Sequence, residues 1–303
     1  MTSASIESLT ARADFQATSD PAVAPSQELL TYRELYELWE RQQWATQDLD
    51  FTKDRADWEG FDEEERFQRM TGLSAFFIGE QRVTAELGPI MRAIPDEDMR
   101  IFLSTQIADE ARHVMFFDRF YREVGVYEAD GLRERLEATS EHLNDDFKVL
   151  FDEMLHARVD RLAVEPEDMV ALVEAITLYH MVIEGSLALT GQHFIIDYNE
   201  REGTLPGFVE GFTNLARDEH RHVAFGARFL RDMTRRDDKY AEAIQRTLAE
   251  VGPVADGVLR PKWVEEGQED VSFRGASVNE TRAFAMQALT RRLKVIGLQP
   301  AEA

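Results

Sequence analysis

The chain contains no cysteine among its 303 residues. This absence excludes a disulfide framework and also thiolate or iron–sulfur ligation, so any bound metal must take oxygen and nitrogen ligands. Iron and manganese are the ions that suit such ligands best. If the protein binds a metal, the composition therefore predicts one of these hard or borderline ions.

Basic residues are scarce, with 34 Lys and Arg against 58 Asp and Glu, which gives a formal net charge of −24. Nucleic acids and anionic membrane surfaces repel such a chain. The N-terminus has no signal-peptide pattern, and we identify no apolar run long enough to span a bilayer. The sequence therefore predicts a cytoplasmic protein that binds no nucleic acid.

Strand signals are also scarce, and helical periodicity dominates. Residues 1–27, rich in Ser, Thr, Ala and Pro, are predicted to be a flexible leader. Turns are predicted around 48–57 and 252–277. Since 44% of the residues are hydrophobic, residues 28–303 can form one large helical domain. The predicted helices span about 30–39, 62–95, 96–124, 130–162, 167–197, 207–235 and 278–296.

An eight-residue pattern occurs twice in the chain. Both copies read Asp-Glu-x-Arg-His-Val-x-Phe, the first over residues 109–116 and the second over 218–225. In each copy a Glu and a His three positions apart share one helix face, where a carboxylate and an imidazole can hold one metal ion. The repeat therefore predicts two metal ions, and a single domain because both copies must share one site.

A dinuclear site in a helical bundle also needs a lone Glu from each of two further helices. Glu80 and Glu184 precede their motifs by 30 and 35 residues, and each follows an apolar run, where an unpaired carboxylate is costly to bury. Glu86 and Glu174 compete on spacing alone. The six predicted metal ligands are Glu80, Glu110, His113, Glu184, Glu219 and His222.

Other polar residues near the repeat have simpler expected roles. Asp109 and Asp218 each precede a ligand Glu, and each is expected to orient a ligand histidine on a facing helix. The Arg of each copy is expected to pair with a nearby carboxylate. A third Glu-x-x-His pair, Glu153 and His156, lacks the rest of the pattern and is predicted to lie on the surface.

In type, order and spacing, these ligands resemble the ferritin-like small subunit of ribonucleotide reductase. Residues 44–54 also resemble the tryptophan segment near the N-terminus of that family. The resemblance covers roughly residues 30–235 and implies an all-α fold, with a ferritin-like four-helix bundle core and additional helices. It also makes Trp44 a candidate for electron delivery, with packing as the alternative.

Two features depart from the reductase subunit. The radical-bearing tyrosine of the standard subunit stands four residues after the first ligand histidine, and here that position is Phe117. One reductase class has Phe there and uses a manganese–iron pair, so such a reductase small subunit stays open as an alternative. Residues 294–303 contain no aromatic residue to resemble the tail that docks on the large subunit, so no large-subunit partner is expected.

A branch of this family, the ligand-binding oxidases, is a closer resemblance. Its members have a valine three residues after the first ligand Glu and a tyrosine five before the Glu of the fourth helix, here Val83 and Tyr179. Oxygen chemistry joins these two residues by an ether link. The resemblance implies a dioxygen-activating oxidase with manganese at the Glu80 site, iron at the Glu184 site and a bound long-chain fatty acid. A di-iron centre stays open, and a homodimer is expected.

Packing roles are expected for several residues beside the predicted metals. Phe76, Phe77, Phe116 and Phe225 are expected to line an apolar pocket, and His180 to be a satisfied core histidine. An iron store or a non-catalytic lipid-binding protein could use the same ligands. Neither would show an oxygen-dependent change in covalent structure.

Overall fold

The computed structural model describes residues 29–127, 129–265, 267–272 and 275–298. The predicted leader, residues 1–27, lies outside these residues. The all-α prediction is confirmed. The helices are α1 (Tyr32–Arg41), α2 (Thr52–Gly60), α3 (Glu63–Ala93), α4 (Glu97–Val124), α5 (Leu132–Ser140), α6 (145–164), α7 (Met169–Glu202), α8 (Pro206–Thr234), α9 (Asp238–Val258) and α10 (Val278–Ile296).

Four long helices form the core of the fold. Helix α3 packs against α4, and α7 packs against α8, while α4 and α8 also meet. Helices α9 and α10 cover α7, and the short helices α1 and α2 both bridge α4 and α8. Each motif copy therefore lies on a central helix, and the N-terminal helices cover the two motif helices.

Three predicted element boundaries were wrong. The helix predicted over 130–162 is divided into α5 and α6, because Asn144 starts a new helix by accepting a hydrogen bond from the Phe147 N–H (2.8 Å). The predicted turn at 48–57 contains the start of α2. Helix α9 continues past Pro253 into a region predicted as turns. Its buried apolar face offsets the one backbone hydrogen bond that proline removes.

Helix α7 is long and apolar enough to cross a membrane by length and composition. The expectation that no apolar run is long enough to span a bilayer was wrong by this measure. However, 83% of its most apolar window is buried inside the fold. Its apolar character is therefore that of the central helix of a bundle.

The N-terminus of α8 is capped by a distant residue. Leu205, at its N-cap position, has a φ of 50° and provides no side-chain acceptor. The buried Asp54 carboxylate instead accepts hydrogen bonds from the N–H groups of Gly207 (2.9 Å) and Phe208 (2.7 Å). A Cβ on Gly207 would lie 2.2 Å from the Asp50 carbonyl oxygen, so glycine is required there. Helix α2 thus fixes the start of the helix that carries the second motif.

Asp54→Ala should lower the free energy of unfolding by about 2–3 kcal/mol, because two buried N–H groups lose their acceptor. Asp62 caps the exposed start of α3 by accepting from the Glu65 N–H at 2.8 Å. As the matched control, Asp62→Ala should cost about 1 kcal/mol. Urea unfolding followed by circular dichroism measures both changes, and equal losses would contradict a special role for the long-range cap.

Candidate metal centre

The six predicted ligands converge in the bundle core, and all six are buried. They come from α3 (Glu80), α4 (Glu110, His113), α7 (Glu184) and α8 (Glu219, His222). Their ligand atoms form two groups, each with atoms within 4.8 Å of one another: Glu80, Glu110, His113 and Glu219, and Glu110, Glu184, Glu219 and His222. Glu110 and Glu219 belong to both groups, so they are placed to bridge two ions.

Several buried polar atoms of this cluster have no hydrogen-bond partner among the described residues. They are Glu110 Oε2, Glu184 Oε2, Glu219 Oε2 and His222 Nδ1. A buried polar atom without a partner costs about 1–3 kcal/mol, and a metal ion would satisfy these atoms. Carboxylate oxygens with one imidazole nitrogen per group form a donor set that suits iron and manganese. The residues therefore fit a dimetal centre.

Burial sets the proton affinities of the cluster. It raises the pKa of Glu80 and of Glu184 well above the usual range, and the neighbouring carboxylates add to the effect. At Glu110 the histidine contacts outweigh burial and lower the pKa to about 2. Burial alone would lower the pKa of His113 and His222, but the surrounding carboxylates raise both well above 6.5. The carboxylates thus favour protonated histidines, and metal binding, which needs neutral imidazoles, competes with these protons.

The two motif copies contact each other across the bundle. Asp218 Oδ2 lies 3.3 Å from His113 Nε2, and Asp109 Oδ2 lies 3.2 Å from His222 Nε2. The Nδ1 atom of each imidazole faces the glutamates. Each aspartate therefore lies where it can orient the histidine of the other copy.

Arginines and tryptophans surround these two aspartates. Arg221 donates to Asp109 (2.9 Å) and to Asp218 (2.7 Å), and the arginine of the first copy contacts the same pair. Trp44 Nε1 donates to Asp218 (2.7 Å), and Trp39 Nε1 donates to Asp109 (2.9 Å). The sequence analysis missed Trp39, because only the packing of α1 on α4 brings it to this site.

Tyr179 reaches the cluster because α7 is not a regular α-helix. Residues Thr177–Ala188 are π-helical, with hydrogen bonds between residues five apart. In an α-helix, Tyr179 and Glu184 would point about 140° apart, but a π-helical turn brings them to the same side. The Tyr179 hydroxyl donates to Glu110 Oε1 at 2.9 Å. Burial and nearby carboxylates raise the pKa of Tyr179, so the phenol keeps its proton.

A cavity of about 270 Å³ opens onto the same cluster. Val83, one turn after Glu80 on α3, lines the cavity together with Glu80. The outer end of the cavity reaches the exposed Lys262. Its wall is mainly apolar. Phe76 lines it as expected, along with Phe147, Phe151 and Phe194. The other expected residues, Phe77, Phe116 and Phe225, are buried in aromatic stacks of the core.

The competing acidic residues lie outside the cluster. Glu86 pairs with His156 at 2.9 Å, and Glu174 pairs with Arg161 at 3.1 Å. Glu153 is exposed, and the His156 side chain is 54% exposed. The prediction that this third Glu-x-x-His pair lies on the surface is confirmed.

Gln106 is a site residue that the sequence analysis missed. Its Nε2 donates to Glu184 Oε1 (2.8 Å) and lies 3.3 Å from Glu110 Oε1, while its Oε1 lies 3.1 Å from His180 Nε2. Burial and the nearby His222 lower the pKa of His180 to about 3, so this imidazole is neutral. His180 was expected to be a satisfied core histidine, and it is fully buried with its Nε2 beside the Gln106 amide oxygen.

A lone Glu from each of two helices and a Glu-x-x-His pair from each of two others define the ferritin-like class of dimetal carboxylate proteins. Residues 29–252 match the family model described as "Ribonucleotide reductase, small chain". This match covers more than half of the chain, and the chain belongs to that family.

Solved structures of an R2-like ligand-binding oxidase are similar over most of the chain. Three variants, with a tyrosine replaced by phenylalanine, a valine by isoleucine and a glycine by leucine, each carry an anaerobically reconstituted Mn/Fe cofactor. Each superposes with a TM-score of 0.77, at 26%, 27% and 27% identity respectively, and the similarity covers 88% of this chain and 93% of the other. With these neighbours and the buried carboxylate–histidine cluster, the protein is a dimetal oxidoreductase.

Replacing one motif histidine should halve the bound metal. His222→Ala removes the imidazole from one ligand group, so about one ion per chain should remain in place of about two. The matched control is His156→Ala, which alters the surface pair and should keep both ions. Elemental analysis of dialysed, metal-loaded protein measures the content. Equal metal content in all three proteins would argue against this location of the centre.

Proposed function

We propose that the protein activates dioxygen at a manganese–iron centre, binds a long-chain fatty acid and joins Val83 to Tyr179 by an ether cross-link. One observation carries this proposal. The Tyr179 hydroxyl is hydrogen-bonded to Glu110, a residue common to both ligand groups, and Val83 lines the cavity that opens onto the same glutamates.

The six clustered residues are proposed as the metal ligands, with manganese at the Glu80 position and iron at the Glu184 position. The ions, when bound, supply electrons and Lewis-acid sites for the reduction of dioxygen. Asp109 and Asp218 hold the two ligand histidines in place. Trp44 is the proposed path for electrons, because its indole is hydrogen-bonded to Asp218.

The cross-link is a two-electron oxidation of the protein. Val83 loses one hydrogen from a carbon atom, Tyr179 loses its hydroxyl hydrogen, and a carbon–oxygen bond forms between them. These two electrons and two protons, together with one electron from each of the bound Mn(II) and Fe(II) ions and two protons from solvent, would reduce one dioxygen, the oxidant, to two waters. Glu110 accepts the hydrogen bond from the phenol and thereby orients it. The similar structures include variants at one tyrosine and one valine, which supports this choice of residues.

Intact-protein mass spectrometry tests the cross-link. After anaerobic loading with Mn(II) and Fe(II) followed by exposure to air, the wild type should lose the mass of two hydrogen atoms. Val83→Ala and Tyr179→Phe should not, because each removes one partner of the bond. A wild-type mass that stays unchanged in air, with both metals bound, would overturn the cross-link.

The cavity supports a fatty acid as the ligand. A carboxylate at its inner end would meet the metal positions, and an acyl chain would lie along the apolar wall formed by Phe147 and Phe151. Burial of each methylene in such a wall contributes about 0.8 kcal/mol. Several methylenes together would therefore hold a long chain firmly.

Gly79→Leu should reduce bound fatty acid at least about tenfold, because the larger side chain enters the cavity beside Phe151 and removes methylene contacts. Gly88→Leu is the matched control on the same helix, where an added Cβ meets no atom within 4 Å. Mass spectrometry of lipid extracted from the purified proteins measures occupancy. Equal lipid in the wild type and both variants would place the ligand elsewhere.

A manganese–iron reductase small subunit is the alternative that family membership favours. Phe117, at the radical-tyrosine position, is fully buried and packs against Phe77 and Phe212. The part of the C-terminal segment beyond residue 298 lies outside the described residues. Nucleotide reduction by the protein together with a captured large subunit would establish this alternative. Our proposal expects neither activity nor capture, and a cytoplasmic homodimer remains predicted.

A further inference from the structure

The two metal positions come from a repeated sequence, but their surroundings differ. Four residues before the motif Glu, the first copy has Gln106 and the second has Leu215. Four residues before the lone Glu, the Glu80 helix has Phe76 and the Glu184 helix has His180. Gln106 therefore corresponds to Leu215, and His180 corresponds to Phe76. Each polar side chain has an apolar counterpart.

Hydrogen bonding fixes the direction of the Gln106 amide. The NH₂ group faces Glu184 Oε1 at 2.8 Å and Glu110 Oε1 at 3.3 Å, and both oxygens accept from it. The amide oxygen lies 3.1 Å from His180 Nε2 and accepts a hydrogen bond from it when the imidazole carries its proton on Nε2. Gln106 is fully buried, and the contact with His180 holds the amide in this orientation.

The hydrogen bond from Gln106 restrains the carboxylate of Glu184 but not that of Glu80. Glu184 Oε1 accepts from Gln106, while its buried Oε2 has no partner and remains as the single free donor atom. Glu80 receives a contact from His113, itself a ligand, and no amide contact is found among the described residues. Glu184 is therefore held ready to bind with one oxygen, whereas Glu80 can bind with one or both.

We propose that Gln106, held by His180, is the positioning residue that makes the two metal positions inequivalent and directs iron to the Glu184 position. Fe²⁺ binds a given nitrogen–oxygen site more tightly than Mn²⁺, so sorting must come from geometry. At the Glu184 position, a glutamate that is fixed and offers one oxygen preserves the higher affinity for Fe²⁺. Each group has three glutamates and one histidine, so the freer carboxylate of Glu80, which can offer both oxygens, is what makes that position the better one for manganese. This inference rests on the proposed manganese–iron centre.

Gln106→Leu places in the first copy the leucine that the second copy has at the equivalent position. It removes the hydrogen bond that restrains Glu184. Crystals of wild type and variant, loaded anaerobically with equal Mn(II) and Fe(II), are measured by anomalous diffraction at both metal edges. The iron-to-manganese ratio at the Glu184 position should fall about tenfold in the variant, the size expected when a partner of a metal ligand is lost. In metal-free crystals of the variant, the Glu184 carboxylate should also leave its wild-type orientation.

Two further variants keep the test decisive. Gln106→Met retains the length of the side chain without its amide, and it replaces Gln106→Leu if the latter does not fold. Gln192→Leu removes a buried glutamine from the same bundle, one with no hydrogen-bond partner, and it should leave the metal ratio unchanged.

The outcomes separate this inference from the proposed function. A wild-type protein that binds neither manganese nor iron refutes the proposed centre itself. A wild type with sorted metals and a Gln106 variant that sorts them equally well refutes only the role of Gln106. A fall in the ratio that Gln192→Leu reproduces also overturns it, because the effect would then be general to buried substitutions.

Discussion

Four carboxylates and two imidazoles share one buried cluster, and the cost of this burial is the constraint on which the rest of the structure depends. Each unpaired charge in an apolar core costs several kcal/mol, so the surrounding residues must supply partners. Around the histidines, two aspartates, two arginines and two indoles are connected by a network of hydrogen bonds. On the opposite side, free carboxylate oxygens and the cavity meet. One side of the centre is fixed, and the other is open to ligands.

The centre is defined by the repeated motif and by nearby residues that differ between its two halves. The repeated motif produces two similar ligand groups that share Glu110 and Glu219. Residues outside the motif then break the equivalence: Tyr179 donates to Glu110, and Gln106 donates to Glu184. Both reach the cluster from positions that have no polar counterpart in the other half. The motif accounts for the number of ions, and the flanking residues account for the difference between their environments.

The six residues of the cluster could be predicted from the sequence because the spacing of each Glu-x-x-His pair is set by one helix face and the burial of the lone glutamates by adjacent apolar runs. The contacts of Trp39 and Gln106 could not, since they depend on which helices pack together. The residue Tyr179 was identified only by resemblance, because five residues from Glu184 is the wrong spacing for an α-helix and nothing in the sequence marks the π-helical stretch. Helix boundaries failed at Asn144, where a cap divides a predicted helix, and at Pro253, where tertiary burial outweighs a local turn signal.

The cap that Asp54 provides to α8 also bears on the order of folding. Asp54 and Gly207 are 153 residues apart in sequence, so closing this contact requires a long loop and carries a large entropic cost. Until it closes, the helix with Glu219 and His222 lacks its N-terminal acceptor. We therefore expect the second half of the centre to assemble late, after most of the chain is in place. Metal capture would then follow the completion of the bundle, which limits exposure of a half-formed redox site to oxygen.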